Sequence, residues 1–120
     1  EVISGYLIFS LSLNKKDHLH GEVFNFGPKN SQDKKVKDVI LEIKKNLPSF
    51  RWIIKKNKFF HESNLLKLNS SKALKNLKWS NKLSFNKTIK MTAQWYETFY
   101  NKKDILSFTK KQIEEFEKKL

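Results

Sequence analysis

The sequence predicts an α/β fold: one small lobe that is rich in helix and contains a few short strands. Two patterns lead to this prediction. Apolar residues recur at helical spacing in several segments, and three short runs of β-branched, aromatic or leucine side chains lie near turn-forming residues. The predicted strands are residues 23–26, 51–55 and 65–69. A length of 120 residues provides material for one domain, residues 1–120.

The first helix is predicted over residues 3–13, where apolar side chains fall near helical spacing. We expect it to be mostly buried, to end at Asn14 and Lys15, and to present an apolar interface. No Ser, Thr, Asp or Pro stands before it as a cap. We therefore expect that the natural protein has further chain upstream.

Four more helices have recognisable start or stop signals. They are predicted over residues 36–47, 73–77 and 85–100, and from Thr109 onward. The expected N-terminal caps are Ser31 or Asp33, then Asn69 or Ser70, then Ser84, and finally Thr109 with Gln112 reaching back to it. Pro48 ends the second helix because proline has no backbone N–H to donate.

The composition excludes several classes of protein. The chain has no cysteine, which excludes a disulfide scaffold and a cysteine-ligated zinc site. Aromatic residues make up 13% of the chain, which argues against disorder because each buries much surface. The longest apolar run, residues 6–13, is too short to span a bilayer. We expect a soluble, cytoplasmic protein with no membrane partner.

The chain is strongly basic, with 25 Lys and Arg against 12 Asp and Glu and a formal net charge of +13. Arg51 is the only arginine, and the lysines are spread along the chain. Surfaces that bind nucleic acid usually cluster their basic residues and use Arg for bidentate contacts. We therefore expect no nucleic acid partner. A basic, polyanion-binding helical module stays an alternative function.

Few residues are spaced for metal binding or catalysis. His18 and His20 form an H-x-H pair, but no third ligand follows at a metal-site spacing, so no metal is expected. His61-Glu62 does not begin a zinc protease motif, because Leu65 stands where the second histidine would be. The three glycines are too far apart for a phosphate-binding loop. We expect no catalytic residue in this chain.

Several short strings resemble, in order, the C-terminal third of the CDP-glucose 4,6-dehydratase family of extended short-chain dehydrogenase/reductases. They are S-G-Y-L at residues 4–7, F-N-F-G-P at 24–28, H-E-S-N-L-L-K-L-N at 61–69, S-K-A at 71–73, L-K-W at 77–79 and Q-I at 112–113. Most are shared by many nucleotide-sugar enzymes. The string that begins at His61 is the one that is similar to the CDP-glucose branch.

The resemblance implies the small, helix-rich C-terminal substrate-binding lobe of a lyase that uses bound NAD. The family oxidises C4 of the glucose in CDP-glucose, eliminates water across C5 and C6, and returns the hydride to C6. The product, CDP-4-keto-6-deoxyglucose, enters deoxysugar biosynthesis. The family's NAD loop and catalytic Tyr-x-x-x-Lys pair belong to an N-terminal Rossmann part outside this chain. The chain alone is therefore expected to be inactive.

On the family pattern, His61 and Glu62 hold the ribose and diphosphate of the substrate. A carboxylate accepts hydrogen bonds from ribose hydroxyls, and an imidazole can donate to a phosphate oxygen. A surface His-Glu pair at the approach to a strand is the alternative. The implied partners are a CDP-sugar and the protein's own Rossmann part, with a homo-oligomer left open. Dehydratases or epimerases of GDP-mannose or TDP-glucose type are the alternatives within the superfamily.

Two positions differ from the family pattern. Lys78 stands where the family usually has glycine, so we expect the turn after the third helix to be reshaped. Asn69 stands where the family commonly has aspartate, which removes one charge and keeps a residue that caps helices well. Both positions leave the specificity for one nucleotide sugar open.

Overall fold

The computed structural model describes residues 1–28, 34–54 and 68–120. Its helices are α1 (Val2–Leu13), a short 3-10 helix (Asp17–Leu19), α2 (Val36–Asn46), α3 (Ser71–Leu77), α4 (Phe85–Tyr100) and α5 (Ile105–Glu117). The chain divides into two compact units: unit 1 is Glu1–Asp33 with Asn57–Asn81, and unit 2 is Lys34–Lys56 with Lys82–Leu120. Among the described residues, no helix is both long and apolar enough to cross a membrane.

The described ranges contain helices and no strand, so the predicted α/β class is wrong. Residues 23–26, 51–54 and 68–69 have no regular secondary structure, and residues 55 and 65–67 lie outside the description. A strand needs a neighbouring strand to complete its backbone hydrogen bonds. The side chains of these runs either pack on a helix or lie exposed to solvent. Phe24 and Phe26 pack against rings of α1, whereas Ile53 and Ile54 are 77% and 78% exposed.

Unit 1 has a small core between α1, the 3-10 helix and α3. Its buried residues are Leu19, Phe26, Ala73, Leu77 and Trp79, and Ile8, Phe9, Leu13 and Phe24 pack against them. Ala73 and Leu77 lie four residues apart and so share one face of α3. That face holds the seven-residue helix in place, because a helix this short is not stable by itself.

Helix α1 has the predicted extent, but the expectation that it is mostly buried is wrong. Gly5 is its only buried residue. Ile3, Leu7 and Leu11 are 67%, 61% and 66% exposed. They recur every fourth residue and therefore form one stripe along the helix, which we call the α1 stripe. No charged side chain lies in α1, and an apolar surface of this kind commonly marks an interface.

In unit 2, α4 packs against both α2 and α5. Specific hydrogen bonds join α4 to α5. Trp95 Nε1 donates to Thr109 Oγ1 at 2.9 Å, and Gln112 Nε2 donates to the Met91 carbonyl oxygen at 2.9 Å. Lys87 and Glu115 form an ion pair nearer the other end of the two helices. The two helices are therefore held in one register along their length.

The start of α5 differs from the prediction. The helix begins at Ile105, where the Asp104 side chain accepts a hydrogen bond from Ser107 N at 3.1 Å. Thr109, the predicted cap, lies inside the helix and donates to the Ile105 carbonyl oxygen. Gln112 does not reach back to Thr109 but bonds α4. Thr109 and Gln112 resembled a capping box because they have its three-residue spacing, which also occurs inside a helix.

The other helix ends in unit 2 agree better with the sequence. Ser84 caps α4 as predicted, with its hydroxyl accepting from Lys87 N at 3.3 Å. Helix α2 ends at Asn46, one residue before the predicted end. Its start is served by Asp38, whose carboxylate accepts from Lys35 N at 2.9 Å. The predicted caps Ser31 and Asp33 lie outside the described residues.

The apolar face predicted for α4 is only partly buried. Ala93 is 2% exposed, whereas Phe99 and Tyr100 near the end of the helix are 51% and 70% exposed. The exposed rings contact one another, with Phe99 stacked on Trp95 and Tyr100 stacked on Tyr96. The helical spacing thus predicted which residues share a face, but not how far along the helix its neighbours extend.

Two lysines occupy left-handed backbone positions that usually hold glycine. Lys78 follows α3 with φ 58° and ψ 19°, and Lys102 follows α4 with φ 53°. Lys103 N then bonds the Thr98 carbonyl at 3.1 Å and Lys102 N bonds the Phe99 carbonyl at 3.0 Å, which closes the helix end. The expectation that lysine reshapes the turn after α3 is therefore wrong. Lys78 itself adopts the left-handed conformation.

Replacing either lysine by glycine is expected to stabilise the protein. A side chain strains a left-handed residue and glycine does not, so Lys78→Gly and Lys102→Gly should each raise the free energy of unfolding by about 0.5–1 kcal/mol. Urea unfolding followed by circular dichroism measures the change. Lys75→Gly, inside α3, is the matched control and should lower stability by about 1 kcal/mol. Loss of stability in all three variants would show that positions 78 and 102 are not left-handed.

The Asp104 cap predicts a pH dependence. The backbone N–H of Ser107, followed by its hydroxyl, holds the pKa of Asp104 below its ordinary value. A lowered folded-state pKa stabilises the protein above the unfolded-state value of about 4, and this contribution is lost as pH falls through the folded-state pKa. Asp104→Asn still caps but does not titrate.

We therefore expect the stability advantage of the wild type over Asp104→Asn to be present at pH 7 and to disappear in acid. Thermal unfolding of both proteins, measured from pH 7 into acid below the unfolded-state pKa of about 4, gives this difference in stability. All other carboxylates titrate equally in the two proteins, so their effect on stability cancels in the difference. They include Glu22 and Glu115, whose pKa values are also lowered. A difference between the two proteins that does not vary with pH would contradict the role of the Asp104 charge.

Candidate functional site

His61 and Glu62, the predicted substrate-binding residues, lie outside the described residues, as do Lys55, Lys56 and Lys58. Their arrangement stays a prediction. The described part of unit 1 does contain a cavity, which is lined by Gly27, Pro28 and residues of the segment 70–81.

Phe26 is the residue that connects the parts of unit 1. Its ring centroid lies 5.5 Å from that of Tyr6 and 5.0 Å from that of Trp79, and both pairs are close to perpendicular. Perpendicular rings are favourable because the positive edge of one meets the negative face of the other. Trp79 Nε1 also donates to Ser4 Oγ at 3.3 Å. Phe26 and Trp79 therefore hold α1 against the segment that follows α3.

Gly5 makes this contact possible because it has no side chain. A Cβ atom at position 5 would lie 2.5 Å from Phe26 Cδ1 and 2.6 Å from Phe26 Cε1. No real Cβ atom lies this close to a carbon atom of another side chain. Glycine at position 5 therefore allows the Phe26 ring to approach the backbone of α1 closely.

The Ser70 hydroxyl fixes the turn at Gly27 to the start of α3. Ser70 Oγ accepts a hydrogen bond from Gly27 N at 2.9 Å and donates to the Gly27 carbonyl oxygen at 3.2 Å. Since Ser70 is used in this way, the first N–H of α3 bonds another cap: Ser71 N donates to Asn69 Oδ1 at 2.9 Å. Of the two residues predicted as caps, Asn69 caps α3, whereas Ser70 bonds the backbone of Gly27.

The Ser70–Gly27 pair forms part of the wall of a cavity of about 150 Å³. Gly27-Pro28, the Ser70, Ser71 and Leu74 side of α3, and residues 79–81 complete the lining. Among the described residues, those that line the cavity carry no charge, although the whole chain has a net charge of +13. The cavity therefore offers neutral hydrogen-bonding groups next to apolar surface. The sequence analysis missed it, because its walls come from segments 43 residues apart.

Charged groups lie elsewhere on unit 1. Lys72 pairs with Glu22, and its Nζ lies 5.0 Å from the centroid of the Phe24 ring. The hydrogen bond from Lys72, more than any other cause, lowers the pKa of Glu22. Both side chains are well exposed, so the pair contributes little to stability. Its position ties the segment at residues 22–24 to α3.

The histidine pair predicted to bind no metal lies at the surface. His18 and His20 are exposed, and His20 Nε2 lies 3.2 Å from the Leu13 carbonyl oxygen. Asp17 begins the 3-10 helix beside them, and Glu22 is paired with Lys72. Within residues 1–28, 34–54 and 68–120, no three His, Cys, Asp or Glu side chains are grouped to hold a metal ion.

Comparison with known proteins shows a distant similarity to one enzyme class. The chain is 26% identical over 118 residues to the CDP-glucose 4,6-dehydratase of Salmonella typhimurium (strain LT2), which covers 97% of this chain and 33% of that protein. The chain thus spans about a third of the length of that relative and is similar to its C-terminal part. No protein-family model and no solved structure matches the chain.

The close contact at Gly5 predicts that alanine at this position destabilises the protein, although alanine usually stabilises a helix. Exchanging glycine for alanine inside a helix usually stabilises it by about 1 kcal/mol. Here the new Cβ would meet the Phe26 ring, so Gly5→Ala should lower the free energy of unfolding by about 1–3 kcal/mol. Ser10→Ala, at an exposed position of α1, is the matched control and should change stability by less than about 0.5 kcal/mol.

Urea unfolding of both variants measures the effect. Phe26→Leu in the Gly5→Ala background should recover part of the lost stability, because a smaller side chain makes room for the Cβ atom. A Gly5→Ala protein that is more stable than wild type would contradict the close packing of α1 on Phe26.

Proposed function

We propose that this chain is the substrate-nucleotide-binding part of a CDP-glucose 4,6-dehydratase. The observation that carries the proposal is the similarity to the Salmonella enzyme, which extends over 97% of the chain. The string from His61 to Asn69, which resembles the CDP-glucose branch of the family, supports the choice of nucleotide sugar. In this proposal the intact protein is a lyase that acts in deoxysugar biosynthesis.

The residues of this chain do not fit NAD. A dinucleotide-binding loop needs closely spaced glycines between a strand and a helix. Gly5, Gly21 and Gly27 have no such spacing. The proposal therefore assigns NAD and the redox chemistry to residues outside this chain, and to this chain the binding and orientation of the substrate.

The α1 stripe supports a second part of the proposal. A charge-free helix with Ile3, Leu7 and Leu11 exposed leaves apolar surface in water, which is unfavourable by about 25 cal/mol per Å². We assign this surface to the contact with the protein's own Rossmann part. The contact would bring the nucleotide-binding residues next to the catalytic part without adding a charge to the interface.

His61 and Glu62 are the proposed substrate contacts. Glu62 can accept hydrogen bonds from both ribose hydroxyls, and His61 can donate one to the diphosphate. Lys55, Lys56 and Lys58 precede them in the sequence and add positive potential for an anionic ligand. The net charge of +13 acts in the same direction over a longer range.

Binding of CDP-glucose to the chain tests the proposal. Isothermal titration should detect binding, and His61→Ala and Glu62→Gln should each weaken it about tenfold, the loss expected for one charge-assisted hydrogen bond. His18→Ala and Glu97→Gln, which change exposed residues of the same types, are matched controls and should bind like wild type. Equal affinities in all four variants would contradict the assignment of His61 and Glu62.

Other nucleotide sugars test the choice of substrate. GDP-mannose and TDP-glucose should bind more weakly than CDP-glucose. Stronger binding of either one would move the proposal to the corresponding branch of the superfamily. With NAD added, the chain alone should not dehydrate CDP-glucose, and measurable turnover would contradict the assignment of the catalytic residues to another part of the protein.

A further inference from the structure

We propose that two copies of this chain associate through a surface on α4 and α5 of unit 2. This α4–α5 surface consists of Tyr96 and Phe99 on α4 and Leu106 and Ile113 on α5. The inference rests on the exposure and the charges of these two helices and does not depend on the proposed function. It assigns the homo-oligomer that the sequence left open to one contact.

The two halves of the α4–α5 surface meet at the hydrogen bond from Trp95 to Thr109. On α4, both rings of the surface contact Trp95, one stacked with its centroid at 5.5 Å and the other perpendicular at 5.4 Å. On α5, Leu106 lies three residues before Thr109 and Ile113 lies four residues after it. Residues at this spacing share one face of a helix. The four side chains therefore form one continuous surface.

The α4–α5 surface is exposed to solvent. The exposed fractions are 46% for Tyr96, 51% for Phe99, 63% for Leu106 and 52% for Ile113. Proteins that function as monomers seldom expose a large apolar patch, because burial of such surface against a partner is favourable. The packing of α4 on α5 thus leaves one side of both helices available for a protein contact.

Two charged residues beside this surface favour a second copy as the partner. Lys110 lies between Leu106 and Ile113 on the same face of α5, Glu117 lies four residues after Ile113, and both charged side chains are exposed. If two α5 helices pack antiparallel about a twofold axis at Ile113, Lys110 of each copy lies opposite Glu117 of the other. The match is within the rise of one residue, about 1.5 Å. The surface is therefore complementary to itself and gains two ion pairs.

A partner of a single charge sign fits this surface less well. A strongly acidic protein or an anionic membrane is attracted by lysine and repelled by Glu117, which lies on the same face. Two copies of a chain with a net charge of +13 also repel one another at long range. Apolar residues at the centre and opposite charges at the edge are the arrangement that lets two such copies associate.

Sedimentation velocity of the 120-residue chain in about 0.15 M salt tests the proposal, because this salt screens charges that lie more than about 8 Å apart. The mass should double between about 1 μM and about 1 mM protein, with a dissociation constant on the order of 10–100 μM. We expect weak association because four apolar side chains a copy form less than a standard interface of about 20–30 residues a side.

A charge at the centre of the surface should prevent association. Ile113→Asp should raise the dissociation constant at least about tenfold, because the new carboxylate is buried in the contact without a partner. Leu7→Asp is the matched control. It places the same charge at an exposed position of the α1 stripe in unit 1 and should leave the dissociation constant unchanged.

Charge reversal tests the antiparallel arrangement. Lys110→Glu alone, or Glu117→Lys alone, places like charges opposite one another in both pairs and should weaken association about tenfold. The double variant restores both pairs at unchanged net charge and should associate like wild type. The proposal is overturned by a chain that stays monomeric at about 1 mM, by a dimer that persists in Ile113→Asp, or by a double variant as weak as the single ones.

Discussion

The packing of the Phe26 ring against Gly5 is the contact on which the rest of unit 1 depends. It brings α1 close enough for Tyr6 and Ser4 to contact Phe26 and Trp79. Trp79 in turn directly follows Lys78, whose left-handed conformation turns the chain at the end of α3. Any side chain at position 5 would push these parts away from one another. The absence of a Cβ atom at Gly5 therefore allows the core of unit 1 and the cavity beside it to form.

Charge is distributed unevenly over the chain. The lysine-rich segment before His61 suits the anionic group of the proposed substrate, whereas the described residues that line the cavity beside Ser70 are uncharged. The α1 stripe is a further surface, which is apolar and suits a protein contact rather than a small ligand.

The sequence predicted the helices better than it predicted what surrounds them. Apolar spacing located α1, α2 and α4 to within a few residues, and Ser84 marked the start of α4. The Ser70–Gly27 hydrogen bonds had no local signal, because they join residues 43 positions apart. Lys78 and Lys102 were missed as left-handed residues because lysine rarely adopts that conformation. The strand predictions were wrong because runs such as residues 23–26 have the composition of a strand but pack on helices.

The relation to a sugar-nucleotide dehydratase is the central claim, and the DNA that precedes the codon for Glu1 tests it most directly. The account predicts an open reading frame that continues upstream and encodes a glycine-rich NAD-binding loop, followed by a Tyr-x-x-x-Lys pair. Such a sequence would supply the redox and catalytic groups that the proposal assigns to residues outside this chain. A reading frame that lacks both features would contradict the account and would make the chain a binding module without a catalytic partner.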